Sequence, residues 1–421
     1  MAFDAAHSLK IKGITQAITN GFHTAASYAR QAANNNGINP ENKKITFIVG
    51  SNVAAHKTLR DAVSALADHG IPCEIILTDT LPKGPKLAEK LARPEVQNSG
   101  FFDRVMIKKG YPLIENMPII LDQAGDLDAD RMYTPKQLAD FYTSRGVNVT
   151  VEHVADINDP AFIDRIKNDS SIARAYNIRN MQIMCQDLID AFENKTMKNG
   201  LKSQIINIHP ADVFEYPGTN TAFWMRMHGS TQNVWTAHVI DKGIDSGPFL
   251  DKTFRALKAG KTLMQDLCSM APFAAQMIVN DGMMFLGGSQ RPTIAQSATA
   301  EYSKKPKQHY TYATHDDYLD AFRRGIVDVA PKNFIPAIVK DHFGDITTPE
   351  AQTVHHVLAT EALKWQNDYL KIYQAEYNEL PPQYDASNPG AYFVDVPPKP
   401  MGPHQPNAQP ATSAGPPPYI P

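Results

Sequence analysis

Three stretches near residue 50 decide the fold of this chain: the strand-like run Ile45–Val49 (ITFIV), the helix-like segment Ala54–His69 and a second strand-like run, Cys73–Leu77 (CEIIL). Gly50-Ser51-Asn52 is predicted to form a turn after the first run, and Gly70 stands where a helix would end. The apolar residues of the middle segment recur at helical spacing. A strand, a turn, a helix and a second strand in this order are typical of a doubly wound α/β fold.

The alternation of strand-like and helix-like segments resumes after residue 131. Thr134 suits an N-cap with Pro135 at the first helical position, and Asp159-Pro160 marks a second helix start. The predicted elements are a helix from Thr134 to Gly146, a strand at Val147–Val154, a helix to Lys167, a strand at Ile172–Ile178, a helix near Met181–Phe192, a strand from Ile205, and helices at Thr262–Met284, 316–340 and 349–378. This alternation predicts a mostly parallel, Rossmann-like sheet with functional residues beyond its strand carboxyl ends.

Composition excludes several classes of protein. A net charge of −3 gives no general basic surface, so bulk nucleic-acid binding is not indicated. No apolar run reaches the length of a membrane span, and Met1–Lys12 lacks a signal-type hydrophobic region. The three cysteines, Cys73, Cys185 and Cys268, form no Cys-x-x-Cys spacing. These features predict a reduced, cytoplasmic setting.

The run Ile205–Pro210 (INIHP with its preceding isoleucine) contains the residues that are best suited to catalysis. Asn207 and His209 are two apart in a β-branched stretch, so a strand places both side chains on one face, and Pro210 ends that strand. Asp245 follows 36 residues after His209 in a glycine-flanked loop. The three residue types suit acyl transfer: His209 to relay a proton, Asn207 to donate to a developing oxyanion, and Asp245 to orient or charge the imidazole.

Five motifs between Ile205 and Leu250 resemble the 10-formyltetrahydrofolate-dependent formyltransferase family. They are Ile205–Pro210, Tyr216-Pro217-Gly218, Trp224, Thr236-Ala237-His238 and Asp241–Leu250 (DKGIDSGPFL). The resemblance implies a Rossmann-like formyltransferase fold and transfer of a formyl group from 10-formyltetrahydrofolate to an amine. It also implies that Asn207, His209 and Asp245 are catalytic. For His238, a residue that the family often has at this place, we expect a supporting role or a simple core role.

Further residues are implied by the same resemblance. Ala175–Arg179 loosely resembles the segment that lines the folate pocket, although Tyr176 stands where the family usually has glycine. The residues expected to bind the folate are Ile178, Arg179, Asp241 and Gly243. Those expected to bind the acceptor are Gly50, Ser51, Asn52, Tyr216 and Gly218.

The turn at residues 50–52 narrows the range of candidate acceptor amines. Members that act on a phosphoribosyl amine carry a longer glycine-rich sequence there, whereas this chain has one glycine. The turn is closer to that of members acting on methionyl-tRNA or nucleotide-linked amino sugars. No appended tRNA-binding domain is visible, so we expect an amino sugar nucleotide or another small amine. A 10-formyltetrahydrofolate hydrolase and a non-catalytic folate-binding or scaffold protein remain open.

The chain divides into four predicted parts. These are a helical extension at 1–44, a formyltransferase-like domain at 45–258 with an insertion at about 79–131, a mainly helical part at 259–378 and a disordered tail at 379–421. The last 41 residues hold 13 of the 31 prolines. Two PPxY strings in this tail, Pro381–Tyr384 and Pro416–Tyr419, resemble ligands of WW domains.

No metal site is predicted. Asp126, Asp128 and Asp130 have the spacing of a calcium loop, but Arg131 and Gln137 occupy the positions that require Gly and Glu. The 14 histidines show no zinc-type spacing.

Overall fold

The structure, a computed structural model, describes residues 43–50, 53–78, 134–180, 182–197, 200–257 and 263–298, with isolated residues between 309 and 378. The N-terminal extension up to residue 42, the insertion at 79–131 and the proline-rich tail lie outside the described residues. The predicted helices at 316–340 and 349–378 lie largely outside them as well.

Seven strands and six α-helices make up the described α/β fold. In chain order they are β1 (Lys44–Gly50), α1 (Val53–Ala67), β2 (Cys73–Thr78), α2 (Pro135–Ser144), β3 (Val149–Val154), α3 (Pro160–Asn168), β4 (Ile172–Ile178), α4 (Gln186–Glu193), β5 (Ile205–His209), α5 (Thr221–Met227), β6 (Gln232–Val239), β7 (Phe249–Ala256) and α6 (Leu263–Leu286). A short 3₁₀ turn follows at Gln296–Ala298. The sequence pattern predicts neither α5 nor β7.

One seven-stranded sheet forms the centre of the fold, in the order β3-β2-β1-β4-β5-β6-β7. The five strands from β3 to β5 in this order run parallel, β6 is antiparallel to β5, and β7 is antiparallel to β6. The predicted mostly parallel sheet is therefore confirmed. The chain crosses from β3 back to the far side of β1 to form β4, so strand order reverses between β1 and β4. Ligands of such sheets bind outside the strand carboxyl ends at this kind of position.

Local sequence explains where the helices begin. Thr134 and Gln137 form a reciprocal capping box at the start of α2, and Pro135 is its first helical residue. Asp159 caps α3 by accepting from the backbone N–H of Ala161. Both predicted helix starts are therefore confirmed.

The predicted helix near 181–192 begins later, at Gln186. The side chain of Gln182 accepts from the backbone N–H of Ile157 and donates to the carbonyl of Ala155. The backbone N–H of Cys185 donates to the side chain of Asn158. These bonds hold the segment before α4 against the loop that leads into α3, so it does not join the helix.

The two faces of the sheet bury separate hydrophobic clusters. The larger cluster includes Ile206 and Ile208 of β5, and the smaller one includes Ala175 of β4 and Ile205 of β5. Because strand side chains alternate between faces, Asn177, Asn207 and His209 share the face of the smaller cluster. The polar residues at the ends of β4 and β5 thus lie together where that cluster stops.

A buried ion pair fastens α6 to the sheet. Arg174 of β4 is fully buried, and its Nε and Nη2 donate to the two carboxylate oxygens of Asp281 at 3.0 and 3.2 Å. The hydroxyl of Tyr176 also donates to Asp281, at 2.7 Å, and the guanidinium lies 4.7 Å from the ring centroid of Phe285. Burial raises the pKa of Tyr176, which keeps its hydroxyl protonated for this bond.

None of the helices in the described part of the chain combines the length and apolar character needed to cross a membrane.

Candidate active site

The site is built where β5 ends. β5 finishes at His209, immediately before Pro210, as the sequence predicts. Asp245 belongs to the loop between β6 and β7, and β6 pairs antiparallel with β5, so this loop lies beside the end of β5. Asp245 has a left-handed backbone with φ of 50°, a conformation that costs energy in a residue other than glycine.

The carboxylate of Asp245 brings the three predicted catalytic residues together. Its Oδ1 accepts from Nδ2 of Asn207 at 3.2 Å and lies 3.6 Å from Nδ1 of His209. Its Oδ2 accepts from the backbone N–H of Gly218 at 2.7 Å. The side chain of Asp245 is 10% exposed, so these contacts are largely shielded from water. An amide, an imidazole and a carboxylate therefore meet at one point.

The protonation of His209 follows from its partners. Its Nε2 lies 2.8 Å from the carbonyl of Tyr216, which can only accept, so Nε2 carries a hydrogen. Burial lowers the pKa of His209, and this effect outweighs the nearby Asp245, which raises it. The imidazole is therefore neutral at pH 7, and the lone pair of Nδ1 is on the side of Asp245.

Asp245 is ionised. Burial raises the pKa of its carboxyl, but the polar neighbours, first of all His209, outweigh burial and hold the pKa below its usual range. A carboxylate beside a neutral imidazole is a pair that can accept a proton during a reaction. Proton uptake at Nδ1 of His209 would then be stabilised by the charge of Asp245.

The amide of Asn207 is engaged on both sides. Its Nδ2 lies 3.0 Å from Nε2 of His238 in addition to its contact with Asp245. Nδ1 of His238 lies 3.0 Å from the carbonyl of Val239, so in the neutral ring Nδ1 carries the hydrogen and Nε2, which is also 3.4 Å from Oδ1 of Asp245, accepts from Asn207. Both hydrogens of the Asn207 amide thus have protein acceptors. Donation to a substrate oxyanion, the role predicted for Asn207, requires the exchange of one of them.

Asn177 is a site residue that the sequence did not reveal. It lies next to Asn207 in the parallel pairing of β4 with β5, and its Nδ2 donates to Oδ1 of Asn207 at 2.8 Å. Only 7% of Asn177 is exposed. The signal that could have identified it is a polar side chain in a strand that is otherwise largely apolar, although Arg174 of the same strand gives a similar signal and lies elsewhere.

Tyr216 and Gly218, predicted to bind the acceptor, act in this structure through their backbone. The carbonyl of Tyr216 accepts from His209, and the N–H of Gly218 donates to Asp245. The ring of Tyr216 stacks on Tyr310 with centroids 5.2 Å apart. The two residues therefore hold the side chains of His209 and Asp245 in place.

Gly218 cannot be replaced without strain, which gives a first prediction. Its φ is 109°, and a Cβ there would lie 2.2 Å from the carbonyl oxygen of Tyr310. Gly200 has a similar left-handed backbone, with φ of 84°, but open space around a Cβ. We expect Gly200→Ala to cost about 1–2 kcal/mol of unfolding free energy. Gly218→Ala should cost more and also lower activity, because the N–H that holds Asp245 moves. Equal losses in denaturant unfolding, with activity retained in Gly218→Ala, would contradict the prediction.

Asp241 and Gly243, predicted to contact the folate, brace the loop that carries Asp245. Oδ1 of Asp241 accepts from the backbone N–H of Gly243 at 3.0 Å and from the hydroxyl of Ser246 at 2.6 Å. A Cβ on Gly243 would lie 2.1 Å from that hydroxyl. The turn is too tight for a Cβ at this position, which explains why residue 243 is glycine.

Gln296 fixes the same loop from a distant part of the chain. Its Nε2 donates to the carbonyls of Asp245 and Gly247, both at 2.8 Å, and the residue is buried. These bonds stabilise the left-handed backbone at Asp245. No motif in the sequence marked Gln296 as part of the site.

The remaining predicted residues lie around the end of β4. The side chain of Ile178 packs in the larger hydrophobic cluster, so it points away from the face of Asn207. Arg179 has a left-handed backbone with φ of 51°. A Cβ on Gly50 would lie 2.1 Å from the carbonyl oxygen of Arg179, so close strand approach explains this glycine. Ser51 and Asn52 lie outside the described residues.

Within the described part of the chain, no group of three or more His, Cys, Asp or Glu side chains is arranged to hold a metal ion. Cys73, Cys185 and Cys268 are free thiols.

Comparison with solved structures returns formyltransferases. The chain is similar to glycinamide ribonucleotide transformylase 1 from Symbiobacterium toebii at 14% identity, covering 60% of this chain and 93% of that one, with a TM-score of 0.35. It is similar to a sugar N-formyltransferase from Shewanella sp. at 10% identity, covering 74% and 86%, with a TM-score of 0.35. The N-formyltransferase from Helicobacter canadensis in complex with folinic acid and dTDP-3-aminofucose is 12% identical, with coverage of 80% and 83% and a TM-score of 0.36. No protein-family model and no curated protein matches the chain.

Proposed function

We propose that this protein transfers a formyl group from 10-formyltetrahydrofolate to an amine. The observation that carries the proposal is the carboxylate of Asp245, which contacts Asn207 and lies beside neutral His209 at the carboxyl end of a sheet strand. The same three residues are the catalytic residues implied by the family motifs. Amino sugar nucleotides and other small amines are the favoured acceptors.

The reaction needs two bond changes and one proton transfer. The acceptor nitrogen bonds to the formyl carbon, and the carbonyl electron pair moves onto the formyl oxygen. That pair then returns, the bond between the formyl carbon and N10 of the folate breaks, and N10 gains a proton. The amine loses one proton, so the products are a formamide and tetrahydrofolate.

The described residues supply the proton transfers and the positioning. His209 accepts the amine proton at Nδ1 while Asp245 stabilises the imidazolium, and His209 then gives this proton to N10 of the folate. Asn207 donates to the formyl oxygen once one of its two present acceptors is displaced. Preorganisation by Gly218 and Gln296 keeps the carboxylate in place, so little reorganisation is needed during the reaction.

The same residues could activate water, which would make the protein a 10-formyltetrahydrofolate hydrolase. The test incubates the protein with 10-formyltetrahydrofolate alone, with a panel of dTDP-linked amino sugars and other small amines, and with methionyl-tRNA. Tetrahydrofolate release that depends on an amine and yields a formamide supports transfer. Release of formate at the same rate without an amine supports hydrolysis. Binding of folinic acid without turnover of any mixture would identify a non-catalytic folate-binding protein, and no binding at all would refute the proposal.

We place catalysis in the unit at 45–258, with Gln296 holding its Asp245 loop, in the cytoplasm, and assign recruitment to the tail at 379–421. The three free thiols agree with a reducing compartment. The tail's PPxY strings suit WW domains, and two copies on one segment would increase avidity. Capture of the full chain by an immobilised WW domain should be lost when Tyr384 and Tyr419 are both replaced by Ala. Unchanged capture would show that the PPxY strings do not bind the WW domain.

A further inference from the structure

The pair of amides formed by Asn177 and Asn207 goes beyond the three predicted catalytic residues. Each side chain is at the same level of its strand, and the 2.8 Å bond between them crosses from β4 to β5. Asn177 is nearly fully buried. It is therefore held in place beside Asn207 at the ends of the two strands.

The orientation of both amides is determined by the charge of Asp245. A carboxylate can only accept, so Asn207 must present Nδ2 to Asp245 and its Oδ1 to the opposite side. Asn177 must then present its own Nδ2 to that oxygen. The Oδ1 atom of Asn177 is consequently the free end of the chain of hydrogen bonds.

This free oxygen has no hydrogen-bond partner among the residues that the structure describes, although it is buried. An unpaired buried acceptor costs about 1–3 kcal/mol, and folded proteins rarely leave such groups unpaired. The oxygen can be satisfied only by a donor. A formyl oxygen carries no hydrogen and cannot satisfy it, whereas the N–H groups of an amine can.

The geometry points to Asn177 as a positioning and specificity residue for the acceptor: its Nδ2 fixes the amide of Asn207, and its Oδ1 accepts an N–H hydrogen bond from the amine. This inference rests on the proposed function. It divides the site into an acceptor side at Asn177, which holds the attacking nitrogen, and a donor side at Asn207, which faces the formyl oxygen. An amine held in this way keeps its nitrogen next to the formyl carbon.

Binding of small probes tests the inference without turnover. The measurement is an NMR titration that follows the side-chain amide signals of asparagine. The protein, labelled with ¹⁵N at asparagine, is saturated with folinic acid and titrated with methylamine. The matched probe is tetramethylammonium, which has the same charge as methylammonium but no N–H. We expect methylamine to shift the side-chain amide signals of Asn177 and Asn207, which are assigned by their loss in the Asn177→Leu and Asn207→Leu variants. Tetramethylammonium should leave both signals unchanged.

Three variants separate the two roles of Asn177. Asn177→Leu removes the acceptor and should weaken methylamine binding by about tenfold, the effect expected from losing one hydrogen bond to a charged group. Asn177→Asp keeps an acceptor oxygen and should bind methylamine at least as tightly as the unmodified protein. Asn233→Leu is the matched control, because Asn233 is buried and donates to a backbone carbonyl of Asp266 instead. It should leave methylamine binding unchanged.

The inference is overturned if tetramethylammonium shifts the same signals, if Asn177→Leu binds methylamine as tightly as the unmodified protein, or if methylamine binds nowhere near Asn177. Failure of the proposed function gives a different result, namely no folinic acid binding in the unmodified protein. In that case the methylamine titration is performed on the folate-free protein, and the same outcomes decide the role of Asn177.

Discussion

Replacing Asp245 by Asn is expected to lower the rate of formyl transfer by about 10²–10⁴-fold, the range that is typical for loss of a group acting in proton transfer. The substitution preserves size but removes the negative charge beside His209. It also converts one carboxylate oxygen, which accepts from Asn207 or from Gly218, into a donor. Steady-state rates with 10-formyltetrahydrofolate and the best acceptor provide the measurement. His209→Ala should cause a loss of similar size, because it removes the base itself.

A matched control separates this effect from general damage. Asp251 is a partly exposed carboxylate at the start of β7 that pairs with Arg291, and Asp251→Asn should retain near-normal rates. If the Asp245→Asn variant transfers the formyl group as fast as the Asp251→Asn variant, then Asp245 has no role in the mechanism. Unchanged folinic acid binding in the Asp245 variant would show that the site still folds.

The pH dependence provides a second readout on the same variant. Burial lowers the pKa of His209, so the neutral imidazole persists below pH 6.5, and the rate should begin to fall only under more acidic conditions. The charge of Asp245 opposes this lowering of the pKa. Its loss in Asp245→Asn should move the acid limb of the residual activity to still lower pH, and a shift to higher pH would contradict the assignment.

Asp281→Asn is expected to lower the free energy of unfolding by about 3–5 kcal/mol, since it leaves the fully buried guanidinium of Arg174 without a counter-charge. Arg174 cannot lose its proton to relieve the cost. Tyr176 also loses a charged acceptor for its hydroxyl. Urea unfolding followed by circular dichroism measures the change.

The control for this prediction is a surface ion pair. Asp140→Asn removes the partner of Lys136 on the exposed side of α2, where such pairs contribute about 0.2–1 kcal/mol. Replacing Arg174 by Met and Asp281 by Leu together should restore much of the stability that Asp281→Asn loses, because neither charge remains buried. A loss in Asp281→Asn no greater than that in Asp140→Asn would show that the buried pair is not the fastening between β4 and α6.

Local signals explain which parts of the structure could be predicted from the sequence. Thr134 and Asp159 act on backbone groups within three residues, so their capping roles are visible in the chain itself. The shared face of Asn207 and His209 follows from the period of a strand. The same period assigns the side chain of Ile178 to the opposite face from Asn177, which separates it from the site.

The parts that could not be predicted depend on sheet order and on long-range contacts. The pairing of Asn177 with Asn207 exists because β4 and β5 are neighbours in the sheet, and the spacing of these residues along the chain does not show this. The backbone roles of Tyr216 and Gly218 depend on where the loop after β5 lies relative to Asp245. Gln296 contacts the site from 51 residues beyond Asp245.

The position of Gln296 imposes an order on the assembly of the protein during its synthesis. The strands that carry Asn177, Asn207 and His209 are translated first, whereas the glutamine that holds the Asp245 loop follows only after the whole of α6. Domains generally fold as units, and contacts between residues far apart in the sequence are slow to form. The loop that carries Asp245 therefore gains its hydrogen bonds to Gln296 only after residue 296 has left the ribosome, and the candidate site is complete only then.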